Sequence, residues 1–184
     1  IQVAHVSKII TFDLHNKATL GFFDIPVTDL SAKPLLLEYF RKGVGDSTLV
    51  VAPDAGSVKG STAFALELGV PVVYMDKKRA LISGEVSVVG MSRKVEGANI
   101  IIIDDNVFTG ATLIESAKAL KKSGAKSIRV GLTHHLYVPG VQEKLEASDI
   151  DEIVVTDTIL NTNQSDYNKL KVLSIAQMVV DELR

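Results

Sequence analysis

Ile100-Ile101-Ile102-Ile103-Asp104-Asp105-Asn106-Val107-Phe108-Thr109-Gly110-Ala111-Thr112 decides the fold of this chain. Four consecutive β-branched apolar residues predict a strand buried on both faces, as in a parallel sheet covered by helices. The strand ends in two adjacent carboxylates. A short loop follows, and a helix opens at Ala111 and runs to Ser123, ahead of Gly124. In a parallel sheet the carboxyl ends of strands line the ligand crevice. Thr109, Gly110, Ala111 and Thr112 supply backbone N–H groups and two hydroxyls at a helix N-terminus, which favours an anion. Carboxylates do not hold phosphate. Asp104 and Asp105 suit vicinal hydroxyls as hydrogen-bond acceptors, or Mg²⁺ through oxygen. A sugar phosphate satisfies both halves of the segment. The plainer alternative is a strand end followed by an Asp helix cap.

The same grammar repeats outward. Apolar runs at Ile9–Phe12, Thr48–Ala52, Val70–Tyr74, Val86–Val89, Ile128–Leu132 and Ile153–Val155 predict further strands. Helical spacing marks Ala32–Lys42, Ser57–Leu68 before Gly69, and a last helix from about Ile175 to Leu183. Strands alternating with helices read as βαβ units, so the expected class is α/β, a parallel sheet flanked by helices. Asp24–Ser31, with Pro26 and two Asp, is the expected hinge. It divides residues 1–31, the remnant of an N-terminal domain, from a complete α/β body at 32–184. Ile1–Val6 reads as the tail of a helix, and the strand at Ile9–Phe12 cannot bury itself alone. The natural protein is therefore expected to continue upstream for about another domain, in line with usual domain sizes.

Composition narrows the class. The 184 residues are 46% apolar and 23% charged, globular values that exclude disorder and coiled coil. No cysteine is present, which removes disulfides, thiolate metal sites and cysteine nucleophiles. Tryptophan is absent and aromatics are 5%, which argues against a stacking platform for single-stranded nucleic acid. A net charge of −2 recruits neither nucleic acid nor an anionic membrane. The apolar runs are too short to span a bilayer. A cytoplasmic protein is the expectation.

Three more clusters can carry chemistry. His15 follows Asp13 at a strand end; the pair can face one metal ion, or His15 can be a structural hydrogen-bonding residue. Asp54-Ala55-Gly56-Ser57 turns from a strand into a helix, where Asp54 can ligate Mg²⁺ beside amides that cradle a diphosphate, or simply cap the helix. Lys77 and Arg79, just after a strand and ahead of Ser83 and Gly84, can neutralise a diphosphate or form a solvated basic patch.

The Asp-Asp loop resembles the ribose 5-phosphate loop of the phosphoribosyltransferase superfamily. A wider match is to the ribose-phosphate pyrophosphokinases, the phosphoribosyl-pyrophosphate synthetases. Asp13-Leu14-His15 with Gly21-Phe22-Phe23-Asp24-Ile25-Pro26 is similar to that family's DLH…GFFDIP segment, and Pro53-Asp54-Ala55-Gly56 to its pyrophosphate loop. Lys77-Lys78-Arg79 resembles the start of its catalytic loop, and Thr133-His134 and Val154–Ile159 its later strands. The resemblance implies a phosphoribosyltransferase-like fold and transfer of a diphosphoryl group from ATP to ribose 5-phosphate, with Mg²⁺ as cofactor. It implies that Asp104 and Asp105 orient the ribose hydroxyls and that Thr109, Gly110, Ala111 and Thr112 hold the 5-phosphate. It implies further that His15 and Asp54 hold Mg²⁺, that Asp54, Ala55, Gly56 and Ser57 form the diphosphate loop, and that Lys77 and Arg79 are catalytic. It places His134 near the sugar-phosphate site, and implies dimer-based homo-oligomers up to hexamers. Five positions depart from the family pattern. Phe108 stands where a small polar residue or Asp is usual, Ala111 and His135 each stand for a Gly, and Ser57 and Gly60 replace a Gly and an Arg. Two other readings share parts of the pattern: a non-catalytic synthetase-like regulatory subunit and a nucleobase phosphoribosyltransferase.

Overall fold

In the computed structural model, residues 2–79, 86–161 and 167–184 are described, with residues 2, 77–79 and 86–89 described by backbone alone. Seven strands form the main sheet: β3 (Thr48–Ala52), β4 (Val72–Arg79), β5 (Val86–Met91), β6 (Asn99–Val107), β7 (Ser127–His135), β8 (Glu152–Thr156) and β9 (Leu170–Leu173). Their order is β5-β4-β3-β6-β7-β8-β9. All neighbours pair in parallel except β4 and β5. Apart from these, β1 (Ile9–Phe12) and β2 (Val27–Leu30) pair in parallel as a two-stranded sheet.

The apolar runs sit between two packed layers. Leu49, Val51, Ile100, Ile102, Ile153 and Val155 face one core with α3 (Ala111–Lys122). Val50, Ile101 and Val154 face the other with α1 (Lys33–Arg41) and α2 (Val58–Leu68). Alternate residues of one strand enter opposite cores, which is why these runs are apolar throughout. Burying Ile100, Ile101 and Ile102 completely contributes roughly 2 kcal/mol per side chain before entropic costs. α2 ends as expected at Gly69, whose amide caps the carbonyls of Ala65 and Leu66.

The topology also sets where a ligand can enter. From β3 the chain winds through α2 to β4 on one side; from β6 it winds through α3 to β7 on the other. β3 and β6 are adjacent, so the strand order reverses between them, and a crevice opens outside their carboxyl ends.

Several elements differ from expectation. The expected hinge carries β2, whose Asp29 anchors Thr11 and Leu14. β9 and the six-residue α4 (Val141–Glu146) were not anticipated. β4 begins at Val72 rather than Val70, because Val70 still closes the α2 C-terminus through the Ala65 carbonyl. β6 continues through the acidic pair to Val107, because β7 beside it continues to His135. The first residues form a 3-10 turn, Gln2–Ala4, rather than an α-helical tail. The last helix is α5 (Ala176–Glu182).

Candidate active site

At the β3–β6 switch point lies a cleft of about 790 Å³. Most of its lining comes from four stretches of chain, Asp13 to His15, Asp54 to Ser57, Ile103 to Leu113 and the start of α1, with Thr133 of β7 added. Of the residues expected from sequence, His15, Asp54, Gly56, Ser57, Asp104, Asp105, Thr109, Gly110, Ala111 and Thr112 all line it. Ala55 does not. Lys77 and Arg79 stand in β4 by backbone, paired with Val88 and Val86. Ser83 and Gly84 lie outside the described residues.

Asp104 and Asp105 ride the end of β6 and so differ in environment. Asp104 is half-buried, and desolvation is the main reason its carboxyl is pushed up to about 6. A hydrogen bond from the Asp105 amide works against that shift, while the charges of Asp105 and Asp54 add to it. Asp105 reaches out to the His15 ring, with Oδ2 2.5 Å from Nδ1. Its Oδ1 accepts from the Asn106 side-chain amide at 2.9 Å. The His15–Asp105 bond and the Asp105 charge hold the exposed His15 imidazole above its usual basicity. The pair joins β6 to the turn after β1.

Asp54 is not the N-cap of α2, which is Ser57; it shapes the turn ahead of the helix and lines the cleft. Its Oδ1 accepts from the Ser57 amide at 3.0 Å, while the Ser57 hydroxyl donates to the Asp54 carbonyl at 2.9 Å. This tight turn opens α2. Gly110, at φ +74, is the N-cap of α3, a conformation that favours glycine. Thr109 Oγ1 lies 3.4 Å from the Ala111 amide. Phe108 projects beside this loop with 59% of its surface exposed.

Asp13 is a site residue that sequence reasoning undervalued. At φ +40 it is bent sharply, and its carboxylate takes three hydrogen bonds: from Ser31 Oγ (2.7 Å), the Ala32 amide (2.8 Å) and Thr133 Oγ1 (2.7 Å). It thereby ties the β1 turn to the start of α1 and the end of β7, across the expected hinge. An acid two residues before His15 is the only sequence signal. Lys17 and Lys33 also line the cleft, paired with Asp29 and Glu67. His134 does not line it. Its ring bonds the Phe12 carbonyl (2.9 Å) and Thr158 Oγ1 (2.8 Å), a tie between β7, β1 and the turn after β8.

Residues 27–175 match the family described as phosphoribosyl transferase domain, most of the chain. The chain belongs to this family. Proteins similar to it include a ribose-phosphate pyrophosphokinase of Ralstonia nicotianae, 40% identical over 98% of this chain and 57% of that protein. Another, from Clostridium acetobutylicum, is 35% identical over the whole chain and 58% of its own length. Among solved structures, a phosphoribosylpyrophosphate synthetase from Mycobacterium smegmatis superposes with a TM-score of 0.87 at 32% identity, over 100% of this chain and 59% of that one. The chain thus spans a little over half the length of these relatives. Among the described residues no helix is long and apolar enough to cross a membrane.

Proposed function

We propose that this chain carries the ribose 5-phosphate site of a ribose-phosphate diphosphokinase. The reaction moves the β,γ-diphosphoryl group of ATP onto the anomeric hydroxyl of ribose 5-phosphate, giving phosphoribosyl pyrophosphate and AMP. The observation that supports it best is one cleft holding both halves of a sugar-phosphate binder: the Asp104–Asp105 carboxylates and the α3 N-terminus with Thr109–Thr112.

The roles follow from position. Asp105 and ionised Asp104 accept hydrogen bonds from the ribose hydroxyls. The amides and hydroxyls of residues 109–112 take the 5-phosphate, aided by the helix dipole. Asp54 to Ser57, on the far lip of the crevice, suit the diphosphate. Lys77 and Arg79 are assigned to transition-state charge by resemblance. Little covalent work falls to the protein in such transfers; positioning and charge dominate.

The donor set fits Mg²⁺ of one kind. No group of three or more His, Asp or Glu side chains forms a metal cage among the described residues. Mg²⁺ usually keeps several waters and binds through one or two carboxylates together with substrate phosphates. Asp54 supplies such a carboxylate, and His15, exposed beside Asp105, faces the same space. When bound, the ion would neutralise charge on the phosphates. Homo-oligomers built from dimers belong to the same proposal.

The deciding experiment is a coupled assay of AMP release on the natural-length protein, with and without ribose 5-phosphate. Sugar-dependent release, lost by about 100-fold or more in an Asp104→Ala/Asp105→Ala variant, is expected. Wild-type activity in that variant would defeat the sugar-site assignment. A second reading, a non-catalytic synthetase-like subunit, is favoured by Phe108, whose exposed ring sits beside the phosphate loop. Absence of sugar-dependent release from wild-type protein, with restoration by Phe108→Asp, would establish that reading.

A further inference from the structure

His135, the last residue of β7, is fully buried, and the proposed reaction makes no use of it. It stands beside Val107 in the β6–β7 register, two residues ahead of the phosphate loop. Both ring nitrogens are engaged. The Tyr137 amide donates to Nδ1 at 2.9 Å, which leaves the proton on Nε2, and Nε2 donates to Gln142 Oε1 at 2.8 Å. Burial holds the ring in this neutral form. The Tyr137 ring stacks on it at a centroid distance of 4.2 Å.

Gln142 belongs to α4, which has six residues and no side-chain cap. Such a helix has almost no stability of its own, so its neighbours decide where it stands. Gln142 is itself buried, and its Nε2 donates to Glu146 Oε1 at 3.2 Å. The same carboxylate oxygen accepts from the Lys169 amide at 3.0 Å. The other face of α4 bears on the site. A Cβ added at Gly110 would lie 3.3 Å from Leu145 Cδ2 and 3.5 Å from Val141 Cγ1. α4 is therefore the wall against which the N-cap of α3 rests.

We propose that His135 is a positioning residue for the phosphate loop: its bond to Gln142 sets where α4 stands, and α4 sets the placement of Gly110 and the aim of the amides at the α3 N-terminus. This rests on reading residues 109–112 as the phosphate loop.

Two substitutions divide the roles of the ring. His135→Asn keeps an acceptor near the Tyr137 amide but does not reach Gln142. His135→Gln keeps a donor toward Gln142 but gives up the Tyr137 bond. Two measurements on each variant, and on Gln142→Met, test the proposal: amide hydrogen exchange without ligand, and titration with ribose 5-phosphate and with inorganic phosphate followed by amide NMR. His135→Asn and Gln142→Met should speed exchange selectively over residues 109–114 and weaken ribose 5-phosphate binding by about tenfold. The double variant should lose no more than either alone, and His135→Gln should stay within about threefold of wild type. Unchanged exchange and affinity in both His135→Asn and Gln142→Met would overturn the proposal. So would exchange accelerated evenly across the sheet, the mark of a merely structural role. Selective loop exchange in a chain whose wild type binds neither probe would support the positioning role and overturn the phosphate-loop reading instead.

Discussion

Two adjacent aspartates of identical chemistry end up unlike. Asp104 is half-buried near the end of β6, where desolvation pushes its carboxyl up to about 6, while Asp105 turns out to pair with His15. An unfolded chain ionises Asp104 near 3.8. Folding therefore favours the protonated form, and the resulting cost is absent below that value, grows as pH rises toward 6, and is complete above it. Asn at this position still accepts from the Asp105 amide but carries no charge. Asp104→Asn should raise stability by on the order of 2 kcal/mol at neutral pH, with the gain vanishing below about pH 4, as measured by urea unfolding across pH. The same variant should bind ribose 5-phosphate more weakly, since an ionised carboxylate is the stronger acceptor for a hydroxyl. A second prediction concerns His15. Its imidazole should titrate above the ordinary 6.5 by NMR, and Asp105→Asn should return it toward that value. An unshifted His15 in the wild type would mean that the pair does not persist in solution. That both aspartates line the crevice was legible from their place at the carboxyl end of an apolar strand. Their division of labour was not, because burial is a property of neighbours that Asp104 acquires only when β7 and α2 are in place beside β6.

At the level of elements, legibility followed length and repetition. α1, α2 and α3 span nine to twelve residues, enough for helical spacing to show, and β3 was read to the residue. β2 and β9 have four residues each, broken by Asp29 and Lys171, and α4 has six, so none offers the charge-free apolar run that marks the equally short β1. β6 and β7 outran their apolar cores because each supplies the other with ladder partners as far as Val107 and His135. Two glycines test how tightly the elements meet. In Gly110→Ala the new Cβ meets a φ of +74 and Leu145 3.3 Å away, so a loss of about 1 kcal/mol or more is expected, together with weaker phosphate binding. Gly131 on β7 lets Phe40 of α1 lie against the sheet: a Cβ there would stand 2.7 Å from the Phe40 ring and 2.8 Å from Ile103. Gly131→Ala should cost about 1–3 kcal/mol through overpacking, read as a lower denaturant midpoint with an unchanged slope.

On the scale of the whole molecule, the first strand and the last helix are fastened together. Lys8 Nζ meets Glu182 Oε1 at 2.5 Å, and Thr28 Oγ1 donates to the same carboxylate oxygen at 3.0 Å. These bonds hold the Glu182 carboxyl below its usual range, so the tie weakens as pH falls through that range. Glu182→Ala should accelerate hydrogen exchange in β1 and β2 while leaving β6 and β7 unchanged; uniform exchange across both sheets would contradict a local tie. With the Asp13 and His134 bonds, it joins residues 1–31 to the body more closely than a Pro-containing hinge suggests.

By itself the amino-acid sequence determined the α/β class, the helix boundaries that end in glycine, and the segments that would form the cleft. Each of these depends on patterns within a few residues of one another: apolar period, turn chemistry, a carboxylate at a strand end. Only the tertiary structure decided which of those segments meet and what each carboxylate is worth. His15 and Asp105 are 90 residues apart, and Asp13 and Thr133 are 120 apart. Hydrogen bonds of such reach, and the desolvation that sets Asp104 apart from Asp105, exist only after the sheet has ordered its strands. Local chemistry is written in the chain, whereas distance and burial are produced by folding it.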